Sequence, residues 1–160
     1  MRIAIMGSGS VGGFYGGRMA RAGEEVTFIE RGAHLQALRE SGLRVESPSV
    51  GDFTLAPLRA TDDPGTIGPV DLALVTIKAY DLEEAARTLV PLIGTETVVL
   101  PLMNGVDIAE RIGAVVGMEH MLGGLAYVST AIAAPGLIRH VAMDRLVFGE
   151  PDGGLSKRGR

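Results

Sequence analysis

The sequence predicts an α/β domain of the doubly wound kind: a mostly parallel sheet with helices on both faces and a β-rich C-terminal third. Three observations predict it. The apolar run Ile3-Ala4-Ile5-Met6 passes through a glycine cluster straight into a helix-compatible stretch, the strand-turn-helix opening of such domains. Leu72-Ala73-Leu74-Val75-Thr76-Ile77 is a second, nearly unbroken apolar run, as a strand buried on both faces requires. After Met121 the chain reads as strand segments joined by turns.

Taken in order, the first strand meets Gly7-Ser8-Gly9-Ser10-Val11-Gly12, a GxGxxG pattern, and a helix is predicted from Val11 to about Ala22. Gly23 ends that helix, and Glu25 to Ile29 reads as the second strand. A helix follows over Ala33 to Ser41, with Leu35 and Leu38 on one face and Gly42 as its stop. Leu43 to Glu46 alternates apolar and polar residues like an edge or half-exposed strand. Ser47 to Asp52 is a turn, Phe53 to Ala60 an extended piece broken by Pro57, and Asp62-Asp63-Pro64-Gly65 a further turn. Beyond Ile77, Asp81 with Glu84 resembles a capping box for a helix whose buried stripe is Leu82, Ala85, Ala86 and Leu89. Thr97 to Leu100 is the next strand, and a short helix is predicted from Asp107 to Ile112. Met121 to Thr130, Gly136 to Val141 and Arg145 to Phe148 read as three strands. The uncharged stretch Met121 to Ile138 contains Gly123-Gly124, Ser129-Thr130 and Pro135-Gly136, which suit buried sheet rather than a membrane span.

A chain of 160 residues suffices for one domain with a core, assigned to residues 1–150, with 151–160 as a tail. Aromatics make up only 4%, so the core is expected from Val, Ile, Leu, Ala and Met. The net charge of −4 argues against nucleic acid as a partner, and Lys157, Arg158 and Arg160 read as a solvated tail. The absence of cysteine excludes disulfides and thiolate chemistry and fits a reducing compartment. Without a signal-peptide pattern, a soluble cytoplasmic protein with no membrane partner is expected. No metal is expected: Asp62-Asp63 and Glu83-Glu84 lack ligand spacing, and His34, His120 and His140 read as structural or exposed.

Chemistry is expected beyond the carboxyl ends of the parallel strands, where such sheets bind ligands. In the glycine loop, Gly7 allows the tight turn, Gly9 lets backbone approach a pyrophosphate, and Gly12 lets helix and strand pack closely. The helix that starts here turns free N–H groups and a partial positive charge toward phosphate. Lys78 ends the second apolar strand and Asn104-Gly105 follows the next, so three groups converge on one crevice. Glu30 and Arg31 conflict. A carboxylate at that spacing holds the ribose hydroxyls of NAD, whereas a guanidinium matches the 2′-phosphate of NADP. If the cofactor is NADP, Glu30 must turn away; alternatively Arg31 is a surface residue paired with Glu30.

The glycine loop, the segment Leu74-Val75-Thr76-Ile77-Lys78-Ala79, Asn104-Gly105 and the ending His140-Val141-Ala142…Phe148-Gly149-Glu150 together resemble the ketopantoate reductases (2-dehydropantoate 2-reductases) over nearly the whole chain. The resemblance implies a Rossmann-like domain and NADP(H). Gly7, Ser8, Gly9, Ser10, Val11 and Gly12 would bind the pyrophosphate, Arg31 the 2′-phosphate, and Lys78 the adenosine end. Asn104 would lie by the nicotinamide ribose and the substrate, a small 2-keto acid. A backbone position near Ala131, placed by counting back from His140-Val141-Ala142, would also touch the cofactor. The family's catalytic lysine, and its substrate-binding serine and glutamate, belong to a second, helical domain that would begin near Pro151-Asp152-Gly153-Gly154. No residue here matches them, so no catalytic residue is assigned. Two functions are implied: the NADPH-binding part of a reductase of pantothenate synthesis (or of another 2-keto acid), or a stand-alone NADP(H)-binding module. An apolar docking face without its helical partner would also make the chain self-associate.

Overall fold

Period-two alternation of apolar residues organises the molecule. In β1 (Arg2–Met6), Ile3 and Ile5 point into one core and Ala4 and Met6 into another, so the strand is buried on both faces. The computed structural model describes residues 1–78, 82–154 and 156. The capping residue read at Asp81 and the basic cluster Lys157, Arg158 and Arg160 lie outside the described residues.

The main sheet has five parallel strands in the order β5-β2-β1-β6-β7, formed by β2 (Glu25–Ile29), β5 (Arg59–Thr61), β6 (Leu72–Val75) and β7 (Val98–Pro101) around β1. The chain leaves β1 to one side and returns to the other, which puts the end of β1 at the topological switch point. Helices α3 (Leu82–Leu89) and α4 (Ile108–Val116) bury Leu82, Leu89, Ile108 and Ile112 in the core that holds Ala4 and Met6. On the other face lie α1 (Ser10–Arg21), α2 (Gly32–Ser41) and a second sheet of order β4-β3-β9-β8. That sheet comprises β3 (Leu43–Glu46), β4 (Phe53–Leu55), β8 (Gly123–Ala134) and β9 (Leu137–Gly149).

Helix α1 is sandwiched between the two sheets, and its glycines permit it. A Cβ on Gly16 would sit 2.8 Å from both Ile5 and Phe28 of the main sheet, and one on Gly13 would sit 2.8 Å from Ile138 of the second. The few aromatics are central after all. Phe14 and Phe28 are fully buried and Tyr15 nearly so, which corrects the expectation of a core drawn only from aliphatic residues and Met.

Several elements depart from the sequence reading, some by a single residue at an end and four by more. Phe53 to Ala60 is not one piece: β4 joins the second sheet and β5 the edge of the first, because Pro57 has no N–H to continue a ladder. Strand β6 stops at Val75; the Thr76 hydroxyl then donates to the Gly7 carbonyl and ties the strand end to the glycine loop. Helix α4 runs past Gly113 to Val116, since Met118 and Met121 pack on that glycine and override its low propensity. The three segments of the last third are two long strands. Ala142 to Asp144 is a bulge rather than a break, with Met143 at φ 59° and its carbonyl accepting from His140 Nε2 at 2.7 Å.

The stretch from Met121 to Ile138 is also not buried sheet throughout. Leu125, Tyr127 and Ile132 are about half exposed, at 48%, 47% and 50%. The β8–β9 ribbon lies at the sheet's edge and has only one face on α1, so alternate residues reach solvent.

Candidate functional site

A crevice of about 750 Å³ opens beyond the carboxyl ends of β1, β6 and β7. Gly7, Gly9, Ser10 and Val11 form its floor, Lys78 and Asn104 belong to the loops after β6 and β7, and Ala126, Val128 and Ile132 of β8 form the facing wall. A smaller recess of about 160 Å³ adjoins it near the end of β2, sharing Gly7, Glu30 and Ile77 and adding Arg31, Asp62 and Glu84.

The floor is built by backbone geometry. Gly7 has φ 89°, a conformation L side chains rarely adopt, and its N–H donates to Ile29 carbonyl at 3.0 Å. A Cβ on Gly12 would run into the Gly7 carbonyl and the Thr76 hydroxyl. A Cβ on Gly9 would meet nothing nearer than Ile132 Cδ1 at 3.7 Å, so that position faces open space. Gly13 N–H donates to Gly9 carbonyl at 2.7 Å and opens the helix, whose first-turn N–H groups have no helical carbonyl of their own. Ser8 is fully buried beneath the loop.

The conflict between Glu30 and Arg31 has a definite geometry. Glu30 does not turn away: Oε2 accepts from Ser8 Oγ at 3.3 Å and Oε1 from Arg31 N–H at 3.0 Å, and the residue lines both cavities. The Arg31 guanidinium is not paired with Glu30. It reaches across the recess to Glu84 Oε1 at 3.0 Å, both side chains being well exposed. Asp62 is paired with Arg39 at 3.1 Å.

Lys78 and Asn104 are exposed at the crevice mouth. Ala131 does not line it. It is exposed and paired in register with Arg139, while adjacent Ile132 lines the crevice. His34, read from sequence as structural or exposed, is structural. Its Nε2 donates to Ser8 carbonyl at 2.9 Å, and its Nδ1 accepts from Gly136 N–H at 3.1 Å, which links the glycine loop to the turn of the β8–β9 ribbon. His140 is buried and hydrogen-bonded at both nitrogens, and His120 Nδ1 bonds Thr97 carbonyl at 2.9 Å. Among the described residues no group of three His, Asp or Glu side chains is placed to hold a metal ion, and no helix is long and apolar enough to cross a membrane.

Residues 3–153 match the family described as ketopantoate reductase PanE/ApbA. The chain is 33% identical to a 2-dehydropantoate 2-reductase of Mesorhizobium japonicum, covering 99% of this chain and 54% of that protein. A crystal structure of 2-dehydropantoate 2-reductase from Geobacter metallireducens superposes with a TM-score of 0.88 at 35% identity, over 94% of this chain and 49% of that one. A structure of D-mandelate dehydrogenase with NADH and anilino(oxo)acetate superposes with a TM-score of 0.85 at 26% identity, over 96% and 50%. The chain thus spans about half the length of the relatives it matches. The glycine loop on the switch point of a parallel sheet and this match over nearly every residue lead to one conclusion: the chain belongs to the ketopantoate reductase family.

Proposed function

We propose that this chain holds NADPH along the crevice, as the nucleotide-binding part of a reductase that converts 2-dehydropantoate to pantoate in pantothenate biosynthesis. The observation that supports this best is the glycine loop. It places an open position at Gly9 beside the first turn of α1, on the floor of a crevice large enough for a dinucleotide's central part. In this reading Gly7 to Gly12 hold the pyrophosphate through backbone N–H groups, and Arg31 and Lys78 supply positive charge at the adenosine end. Asn104 offers an amide donor and acceptor to the nicotinamide ribose and to the keto acid. The nicotinamide, when bound, supplies the hydride. The apolar wall of Ala126, Val128 and Ile132 keeps water from that side of the crevice, and the backbone contact near Ala131 is assigned to the stretch at Ile132, which lines it.

No residue of this chain is assigned to protonate the carbonyl oxygen, so the chain alone is proposed to bind cofactor without reducing 2-dehydropantoate. The likeness to D-mandelate dehydrogenase favours a second reading, in which the substrate is another 2-keto acid. Calorimetric titration tests the first. NADPH binds the wild-type chain, and Arg31→Ala weakens it about tenfold or more while barely changing NADH. A wild-type chain that binds neither dinucleotide overturns the proposal.

A further inference from the structure

The small recess beside the crevice holds Arg31, proposed above for the adenosine end, and it carries more carboxylates than cations. Glu30 is fixed at its border by the Ser8 hydroxyl at 3.3 Å and the Arg31 N–H at 3.0 Å. Asp62 has its own partner in Arg39. The Arg31 guanidinium, which a 2′-phosphate needs, is held by Glu84 on α3 at 3.0 Å. A phosphate entering here meets three carboxylates and a cation that is already engaged. A ribose diol meets none of this difficulty, because it is uncharged and Glu30 already presents a fixed acceptor.

We propose that Glu84 is a specificity-determining residue: by holding Arg31 across the recess it lowers the preference for NADPH over NADH, so that the site admits both. This rests on the dinucleotide reading above. Its physics is an exchange. For Arg31 to meet the phosphate it must leave Glu84, and Glu84 then stays close enough to repel the phosphate it has lost the arginine to. The ion pair is 71% and 65% exposed on its two sides, so salt screens it and it breaks at small cost. The effect on affinity is therefore modest and selective. NADH, with no phosphate at that position, leaves the pair intact.

The test is a calorimetric comparison of NADPH and NADH on the wild-type chain, Glu84→Gln, Arg31→Ala and the double variant, at low and high salt. Glu84 is exposed, so Glu84→Gln folds, and circular dichroism verifies it. The expected result is that Glu84→Gln tightens NADPH about two- to tenfold, with a smaller gain at high salt and no change for NADH. In the Arg31→Ala background that gain disappears. An equal effect on both cofactors, or a full gain without Arg31, overturns the role of Glu84. A wild-type chain that binds neither cofactor overturns the dinucleotide reading itself, so the two failures are distinguishable.

Discussion

The carbonyl of Ser8 and the N–H of Gly136 meet on the two nitrogens of one imidazole, His34. Since Nδ1 accepts, the ring is neutral with its proton on Nε2. His34→Ala leaves both backbone groups without that partner, at a cost of about 1–3 kcal/mol, measurable by urea denaturation. It also loosens the glycine loop, so NADPH affinity is expected to fall in the same variant. Gly9→Val tests the loop from above. Its Cβ enters open crevice rather than core, so dinucleotide binding is lost while circular dichroism is unchanged. Dinucleotide binding by the folded Gly9→Val chain would remove the phosphates from this loop. The glycines were legible in the sequence because the turn itself demands each of them within a few positions. The two bonds of His34 were not, because its partners lie 26 and 102 residues away; nor was the Arg31–Glu84 pair, 53 residues apart.

Helix α1 shows how an element inverts a local rule. In an exposed helix Gly→Ala stabilises by about 1 kcal/mol. At Gly16 the new Cβ would press on Ile5 and Phe28 at 2.8 Å, so Gly16→Ala is expected to destabilise by about 1–3 kcal/mol in chemical denaturation. On the opposite face of the main sheet, α3 and α4 are joined by the Glu83–Arg111 pair. The hydrogen bond from Arg111 holds the Glu83 carboxyl below its ordinary range. A depressed carboxylate contributes stability above its unfolded pKa and loses it as pH falls through the folded one. In an NMR titration, Arg111→Ala should therefore return Glu83 to ordinary carboxylate behaviour. Strands β2 and β3 have the bounds read from sequence, because alternation runs through both and a glycine, Gly23 or Gly42, lies just before each. The β8–β9 ribbon reads from sequence as three strands, with Met121 to Ile138 buried, rather than as two long strands with a solvent face. Its continuity depends on a bulge at Met143 held by His140, which stacks on Phe14 at 4.3 Å, and neither contact leaves a trace in local pattern.

At the scale of the whole molecule, the doubly wound order was legible because only buried parallel strands read as unbroken apolar runs. The second sheet was not, because β3 and β9 pair across a separation that no periodicity encodes. The ribbon leaves Leu125, Tyr127, Val141 and Val147 exposed, at 40% to 59%. An apolar face of this kind is expected to make the chain self-associate, and light scattering should find a mass above that of the 16.7 kDa chain. A strict monomer at high concentration removes that expectation.

The same two strands carry a consequence for how the molecule communicates. Leu125 and Tyr127 look outward, while their neighbours Ala126 and Val128 form the crevice wall. The ribbon is a partition one residue thick, and its two sides share a backbone. Anything that settles on the outside lies one side chain away from whatever occupies the inside, with no intervening layer to absorb a shift. A partner on that outer face would therefore be felt by the bound ligand as a change in the shape of its own wall.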